Sequence, residues 1–365
     1  MKYTPLKNIS SSIAGEKGAK NSDIASEIQA IEEKLASAQL PRDLYSKAHM
    51  QIDRITLALK HGGNMGQLDM LGKYVDWITS LPWEAQSQDI LDLKRAAEVL
   101  EKNHYGLASL KKRVLEYLSI LILQGKSSGS KFHAPILFFV GLAGTGKTTF
   151  AKSVAEALGK KFARIPFGGI ASALDLRGVS KVQPEAEPGF IIKSLRRLGT
   201  RNPVILLDEL DRVTKNAHGE IMGVLLEILD HNQNNQFVDH YIDYPFDLSQ
   251  IMFIATANNT RNISTAVLDR LEVIQMPSYS DNEKISIAKN FILPRLMRES
   301  AIDPQTINVG EDVWKHMARA SGFDPGIRSV ERKVESLVRR VALQLVAGKG
   351  TSFVINEENM KEYIE

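Results

Sequence analysis

The sequence contains no cysteine, which excludes disulfide bonds and thiolate metal sites. It also lacks long apolar runs, since YLSILIL at 117–123 is far too short to span a membrane. The N-terminus, MKYTPLKNISSS, has no apolar signal-peptide core. The net charge of +3 is too small to argue for a nucleic-acid or membrane partner. Together these absences predict a soluble, cytoplasmic protein.

The chain of 365 residues, 43% of them hydrophobic, is long enough for two or three domains with real cores. We expect four segments: a flexible tail over 1–21, a helical segment over 22–88, a large α/β domain over 89–278 and a small α-helical lid domain over 279–365. Ser22 is the expected N-cap of the first helix, and Pro41 is expected to end it. The run GKSSGSK at 125–131 has the composition of a flexible connector.

Short apolar runs alternate with helical patterns in the middle of the chain. These runs are PILFFV (135–140), FARIPF (162–167), PVILLD (203–208) and IMFIATA (251–257). Runs of this length that are apolar throughout are typical of a parallel sheet covered on both faces by helices. The predicted fold class is therefore α/β, with a parallel sheet flanked by helices, an N-terminal helical segment and a small helical C-terminal domain.

The strongest local motif is GLAGTGKT at 141–148, which follows the strand ILFFV and opens the helix TTFAKSVAEAL. Its glycines let backbone N–H groups face phosphates at a helix N-terminus. Lys147 would reach the β- and γ-phosphates of ATP, and the Thr148 hydroxyl would ligate Mg²⁺. A glycine-rich turn that binds nothing would not need strand, lysine, threonine and helix in this register. The residues predicted to bind ATP here are Gly141, Leu142, Ala143, Gly144, Thr145, Gly146, Lys147, Thr148 and Thr149.

A second carboxylate motif, PVILLDE at 203–209, ends another strand. Asp208 is predicted to hold Mg²⁺, directly or through water, and Glu209 to polarise the attacking water as general base. Taken alone, two adjacent carboxylates would fit a solvated turn. Beside a phosphate loop, the catalytic interpretation is favoured.

Several longer stretches resemble the ATPase module of Lon proteases, a branch of the AAA+ family. The resemblance extends over roughly residues 27 to 365. The stretches include LDMLGKYVDWITSLPW (68–83), NHYGLASLKKRVLEYLSI (103–120), DHYIDYPFDLSQIMFIATAN (239–258), AVLDRLEVIQMPSYSDNEKISIAK (266–289) and GIRSVERKV (326–334).

This resemblance implies roles for individual residues. Asn258 is similar to the sensor 1 residue that orients the attacking water, and Arg328 to sensor 2 of the small helical domain. Arg270 resembles an arginine finger that would reach the γ-phosphate of a neighbouring subunit, which implies a closed ring, a hexamer by family analogy. His104 and Tyr105 resemble the segment near the adenine. By composition alone, the two arginines would be interpreted as surface ion pairs.

The sequence departs from the family at two places. Lon proteases continue into a protease domain with a Ser-Lys dyad, and no stretch here resembles it, so we expect no peptidase activity in this chain. Whether the chain is a natural protein or a fragment stays open. In the loop GVSKVQPEAEPG (178–189), the positions where Lon proteins carry an aromatic–aliphatic pair that grips polypeptide hold Gln183 and Pro184, and the nearest apolar side chain is Val182.

Three functional hypotheses share ATP hydrolysis. The first is a ring that unfolds, translocates or remodels protein substrates, as Lon ATPase modules do. The second is a nucleotide-gated assembly or regulatory protein that threads no substrate. The third is a nucleic-acid-linked ATPase, with SLRRLGTR (194–201) and VERKVESLVRR (330–340) as candidate basic runs. For those runs a solvated amphipathic face is the favoured interpretation.

Overall fold

The structure is a computed structural model that describes residues 10–61, 64–126, 135–183, 185–319, 324 and 326–364, with side chains described from residue 24 onward and not for 124–126. Five residues of the predicted connector, 127–131, and Pro184 lie outside the described residues. The helices are α1 Ser10–Ser37, α2 Arg42–Lys60, α3 Gly66–Ser80, α4 Leu93–Asn103, α5 Ala108–Lys126, α6 Lys147–Ala157, α7 Leu174–Arg177, α8 Phe190–Leu198, α9 His218–Leu229, α10 Thr265–Leu268, α11 Asp281–Ile287, α12 Leu293–Glu299, α13 Glu311–Arg319, α14 Arg328–Val346 and α15 Met360–Tyr363.

The central sheet is five-stranded and entirely parallel, in the order β2-β3-β6-β1-β7. Two small two-stranded sheets pair β4 with β5 and β8 with β9. The strands are β1 Ile136–Val140, β2 Phe162–Pro166, β3 Val204–Asp208, β4 Phe237–Val238, β5 Pro245–Phe246, β6 Met252–Ala257, β7 Leu271–Gln275, β8 Ile307–Val309 and β9 Phe353–Ile355. The predicted α/β class with a parallel sheet is confirmed.

The four predicted strands correspond to β1, β2, β3 and β6. Every residue of β1, β3 and β6 is buried, as expected for central strands that are covered on both faces. The edge strand β7 was not predicted. In its sequence LEVIQ only Leu271 and Ile274 are buried, and Glu272 and Gln275 are polar, so it lacks the continuous apolar run of a central strand.

Contact clustering divides the described chain into two compact units. One unit comprises Ser87–Ala171, Asn202–His231 and Ile251–Glu365, and it holds the parallel sheet. Its first core packs α4, α5 and α6 against the sheet around Phe139 and Phe150. Its second core surrounds Trp314, within the helices and short strands after residue 287.

The other unit joins the residues up to Gln86 with Ser172–Arg201 and Asn232–Gln250. Its contacts are aromatic: Trp77 lies edge-on to Tyr241, with ring centroids 6.4 Å apart, and Trp83 lies 4.9 Å from Phe246. The Tyr74 hydroxyl donates to the backbone carbonyl of Ile242 at 3.1 Å. Two segments placed by sequence in the α/β domain therefore fold with the N-terminal helices, because their apolar partners are there.

Helix α1 begins at Ser10, so the expected N-cap at Ser22 and the tail over residues 10–21 are wrong. Alanine, glutamate and lysine, which are good helix formers, fill much of the run IAGEKGAKN, and they extend the helix backwards despite two glycines. Residues 1–9 lie outside the described residues. None of the described helices is long and apolar enough to cross a membrane.

Candidate nucleotide site

The loop between β1 and α6 takes backbone conformations that favour glycine. Gly144 and Gly146 have φ values of +83° and +91°, in the left-handed region. Gly141 is required for a steric reason, because a Cβ atom at this position would lie 2.7 Å from the carbonyl oxygen of Met276. The loop thus approaches the end of β7 closely and delivers the chain to the N-terminus of α6, where backbone N–H groups form an anion site.

Lys147 is the first residue of α6 and is mostly buried. Its ammonium group donates to the carbonyl oxygens of Gly141 at 2.5 Å and Leu142 at 2.9 Å, and to Asn258 Oδ1 at 3.1 Å. Burial lowers the pKa of Lys147, and the nearby carboxylate of Asp208 opposes that shift. The cation is therefore held inside the loop by weak neutral acceptors, which phosphate oxygens could replace with stronger charged ones.

The other residues of the loop are fixed by local bonds. The buried Thr145 hydroxyl donates to the Leu142 carbonyl at 2.9 Å. The Thr149 hydroxyl donates to the Gly146 carbonyl at 2.8 Å, within the first turn of α6. Both hydroxyls thus stabilise the loop. The backbone carbonyl of Ala143 lies directly against Gly326.

Asp208 ends β3 and is almost fully buried. The Thr148 hydroxyl lies 3.3 and 3.4 Å from its two carboxylate oxygens, and the Thr256 hydroxyl donates to Oδ1. Arg164, on β2, donates from Nε to Oδ2 at 2.5 Å. The predicted metal pair, Thr148 and Asp208, is therefore brought together, and the Arg164 guanidinium contacts the same carboxylate.

Glu209 follows Asp208 with a left-handed backbone, φ +60° and ψ +50°, which is uncommon for a residue with a side chain. Its backbone N–H donates to Thr256 Oγ1 at 2.9 Å. Its carboxylate lies 3.4 Å from Arg212 Nε. The two adjacent carboxylates therefore have different neighbours: Glu209 lies near Arg212, whereas Asp208 lies near Thr148, Thr256 and Arg164.

Asn258 comes directly after β6, the strand between β1 and β3. Besides accepting from Lys147, it donates its backbone N–H to Asp211 Oδ1 at 3.1 Å. Asp211 also accepts from the Asn259 side chain at 3.2 Å and is buried. The buried Asp211 carboxylate thus fixes the position of Asn258 between the two nucleotide-binding motifs.

Residues of the C-terminal helical part pack against the phosphate loop within the same unit. The Ile327 N–H donates to the Gly144 carbonyl at 3.1 Å, and a Cβ at Gly326 would lie 2.6 Å from Ala143 O. Arg328 begins α14, and its Cγ is 3.2 Å from where a Cβ of Gly144 would be. The structure therefore brings Arg328 next to the phosphate loop, and its implied role as sensor 2 stays a prediction.

Arg270 is placed differently from the residues around Lys147. Its guanidinium donates to Asp230 Oδ2 and to the Ala266 carbonyl, each at 2.8 Å, and its side chain is about one-third exposed. Asp230 follows α9, and most of its side chain is buried. The ion pair fixes the guanidinium at the surface of this unit, where part of it stays accessible.

His104 and Tyr105 differ sharply in exposure. The His104 ring is buried, lies 2.9 Å from Ser153 Oγ and packs on the Phe150 ring at 4.8 Å. Burial, together with the nearby charge of Lys111, lowers the pKa of His104 to about 4. Tyr105 is 40% exposed. The His104 ring therefore belongs to the core beside α6, and an adenine contact from its side chain stays a prediction that the geometry does not favour.

The site suits ATP and Mg²⁺. The donor set is one threonine hydroxyl and one carboxylate, and the described residues hold no cluster of three or more His, Cys, Asp or Glu side chains fit for a metal. Mg²⁺ is commonly bound this way, with few protein oxygens, several waters and substrate phosphates. Lys147 and the N-terminus of α6 would hold the phosphates.

Comparison with known proteins agrees with this geometry. Residues 137–279 match the family model described as ATPase family associated with various cellular activities (AAA). The chain contains a Lon-type module of the AAA ATPase family. It is 40% identical over 339 residues to a Lon protease of Dictyoglomus thermophilum, covering 93% of this chain and 42% of that protein. It is 37% identical over 366 residues to Lon protease 2 of Thermus thermophilus, and this match covers 98% of the chain and 44% of that protein. The module thus spans less than half the length of these curated relatives.

Sequence reasoning missed several residues of the site. In the Lon-type module these residues are Arg164, which donates to Asp208, and Asp211, which accepts the backbone N–H of Asn258. The third is Tyr279, whose hydroxyl donates to the Thr145 carbonyl at 3.0 Å. Burial raises the pKa of Tyr279 to about 12, so this donor keeps its proton at neutral pH. The one available signal was a charged Arg164 inside the apolar run FARIPF.

The loop over 178–189 belongs to the other unit and is closed at its base. The Asp239 carboxylate is fully buried and accepts the N–H groups of Gly189 at 2.7 Å and Tyr241 at 2.8 Å. A Cβ at Gly178 would lie 2.7 Å from Asp239 Oδ1, and one at Gly189 only 2.0 Å from Leu176 O. The two ends of the loop are therefore held together by one carboxylate and two glycines.

Toward its tip, the same loop is tied to the N-terminal helices. Lys181 Nζ lies 4.1 Å above the Tyr74 ring and 3.6 Å from Asp243 Oδ2, and Lys47 pairs with the same carboxylate at 2.8 Å. Val182, by contrast, is 79% exposed. Of the described loop residues, Val182 is the large apolar side chain most open to a substrate.

Proposed function

We propose that this chain hydrolyses ATP with Mg²⁺ in a ring of identical subunits, most simply a hexamer, and uses the energy to unfold, translocate or remodel protein substrates. The observation that carries the proposal is the convergence of Lys147, Asn258 and the Thr148–Asp208 pair at the carboxyl ends of adjacent parallel strands. Ligands of open α/β sheets bind at this end.

Each residue has a distinct part in the proposed reaction. Lys147 and the α6 N-terminus bind the phosphates, and Thr148 and Asp208 hold the metal, which supplies charge neutralisation when bound. Glu209 takes the proton of the attacking water, and Asn258 orients that water. Arg328 closes on the nucleotide from α14, and Arg270 completes the site of the next subunit. No peptidase step is assigned to these residues.

Replacing Glu209 with Gln tests the ATPase part. We expect ATP binding to persist and turnover to fall by about 10²- to 10⁴-fold, the usual contribution of a general base. Glu220→Gln, at an exposed position on α9, is the matched control and should hydrolyse ATP at the wild-type rate. Wild-type turnover in Glu209→Gln would remove the base assignment. Native mass spectrometry of the Glu209→Gln protein with ATP tests the ring.

A second candidate, a nucleotide-gated protein that threads no substrate, is favoured by the loop over 178–189. Lys181 is engaged with Tyr74 and Asp243, and Val182 is the only large apolar side chain among the described residues of this loop that is well exposed. ATP-driven unfolding of a tagged, stably folded substrate separates the two. Robust substrate unfolding by the wild type would contradict the second candidate. If only the Gln183→Tyr/Pro184→Val variant unfolds the substrate, the second candidate is supported.

The nucleic-acid hypothesis finds less support in the contacts of its basic runs. Arg196 stacks over the Trp77 ring at 4.1 Å, and Arg201 pairs with Asp247 at 2.7 Å. In α14, Arg340 donates to the backbone carbonyl of Glu362 at 2.6 Å. These side chains serve the fold. A DNA-binding titration over a salt series would support the hypothesis only if affinity fell steeply with salt.

A further inference from the structure

A cavity of about 410 Å³ lies in the unit that carries the 178–189 loop, and none of its lining residues is among those assigned to the nucleotide. Trp83 and Tyr244, both partly exposed, form its aromatic lining together with Phe246, which is nearly fully buried. The Trp83 ring lies 5.8 Å from the Tyr244 ring and 4.9 Å from the Phe246 ring, and its indole N–H is occupied by the Ile78 carbonyl at 2.7 Å. The size is that of ligand-binding cavities, which run from roughly 300 to 1,000 Å³.

Three amide side chains complete the lining: Gln39, Asn235 and Gln236. Within the described residues they make no hydrogen bond to the protein, although each amide has both donors and an acceptor. Asn235 and Gln236 lie on an exposed turn of 3₁₀ helix just before β4. Amide groups of this kind match the N–H and C=O groups of an extended peptide backbone.

The charges around the cavity argue against an anionic ligand. Arg201, the basic side chain that lines it, is neutralised by Asp247 at 2.7 Å and also donates to the Trp83 carbonyl. Glu84 leaves the lining slightly negative. Phosphates and nucleic acids need unpaired cations, whereas a neutral apolar side chain fits aromatic walls.

We propose that this cavity binds a bulky apolar side chain of an extended polypeptide, with Gln39, Asn235 and Gln236 bonding the flanking backbone. The site gives the chain the aromatic contact surface that its 178–189 loop lacks at Gln183 and Pro184. Its use in remodelling rests on the proposed function, but binding itself needs no nucleotide. The two ideas can therefore fail separately.

The binding test uses fluorescence anisotropy with two labelled Gly-Ser peptides that differ in one central residue, Phe or Ser, and the full chain without nucleotide. We expect the Phe peptide to bind about tenfold more tightly, because a buried phenylalanine contributes apolar area that serine lacks. Tyr244→Ala should lose that preference. Asn235→Trp, which fills the cavity from an exposed turn, should lose it too. Equal binding of both peptides, or a preference unchanged in both variants, would overturn the proposal.

The absence of cysteine allows a second measurement that does not depend on affinity. Gln236→Cys places one thiol at the cavity, and Gln67→Cys places one at an exposed position of α3 as the matched control. A Phe peptide whose neighbouring cysteine is activated as a mixed disulfide with thionitrobenzoate should exchange with the thiol at position 236, releasing thionitrobenzoate, at least about tenfold faster than with the thiol at position 67, since binding raises the local concentration. Equal rates would contradict the site.

Two further outcomes keep the inference distinct from the proposed function. Peptide binding at the cavity in a chain that hydrolyses no ATP would support the site and contradict the motor. Normal turnover together with no preference for the Phe peptide would support the motor and contradict the site. Free phenylalaninamide that competed for position 236 as well as the full peptide would show a small-molecule pocket and overturn the polypeptide assignment.

Discussion

The Arg270 guanidinium and the Asp230 carboxylate form an ion pair at 2.8 Å, with the arginine about one-third exposed. The proposed role of Arg270 as an arginine finger would use such an arrangement, in which the guanidinium is held on one side and accessible on the other. Two of its donors are used, by Asp230 and Ala266, and an arginine has five. The proposed contact with a γ-phosphate would use the remaining donors.

Arg270→Ala should therefore abolish turnover while nucleotide binding persists, with a loss of about 10³-fold or more. The sharper test is complementation: a mixture of Arg270→Ala and Glu209→Gln subunits should regain part of the activity, because each supplies what the other lacks. Mixing Glu209→Gln with the double variant should restore nothing. Inactivity of both mixtures, given proven subunit mixing, would contradict a site shared between subunits.

Acid should destabilise the protein through His104. The folded-state pKa of about 4 lies below the ordinary 6.5, so the unfolded chain takes up the proton first as pH falls. The associated stability is fully present above pH 6.5 and is lost as pH falls toward 4, by about 3 kcal/mol in total. Thermal unfolding across this range should show a steeper fall in Tm for wild type than for His104→Gln. His316→Gln, at an exposed position on α13, should keep the wild-type slope.

Gly326→Ala should weaken ATP binding without unfolding the chain. Its Cβ would come within 2.6 Å of the Ala143 carbonyl, so α14 and Arg328 must retreat from the phosphate loop. We expect about tenfold weaker ATP binding, since closure over the nucleotide is impaired. Gly350→Ala, where the nearest atom is 3.5 Å away, is the control. Unchanged affinity in Gly326→Ala would show that this contact does not matter for the nucleotide.

Gly189→Ala should be among the most damaging single changes in the other unit. Its Cβ would lie 2.0 Å from the Leu176 carbonyl and displace the N–H that Asp239 accepts, leaving a buried carboxylate short of a partner. The combined cost is roughly 2–5 kcal/mol. Gly219→Ala in α9, with no atom within 4 Å of the added Cβ, should be neutral or slightly stabilising. The Tm values of the two variants provide the comparison.

The parts of the molecule that could be predicted are those encoded in contiguous residues. The loop from Gly141 to Thr148 and the strand ending at Asp208 each carry their own pattern, and the structure places them together. Arg164 could not be predicted, because its contact depends on the register of β2 against β3, where Pro166 is opposite Asp208. Asp211 reaches Asn258 only because β3 and β6 are neighbours.

Local sequence patterns also could not predict how the chain divides into two units. Residues 172–201 and 232–250 look like insertions in an α/β domain, and their partners lie more than a hundred positions away, as Trp83 does from Arg201. The helix pattern likewise failed at Ser10, since polar sequence with good propensity needs no amphipathic face to be helical.

The aromatic contacts of the N-terminal helices set a rule for dissecting this protein. Tyr241, Ile242 and Phe246 are nearly inaccessible to water, and Tyr74, Trp77 and Trp83 are among the side chains that cover them. A shortened version starting at Ser87 would expose these three side chains together. Exposed apolar surfaces of this kind promote aggregation. Anyone isolating the nucleotide-binding part should therefore keep the helices or replace those three residues with polar ones.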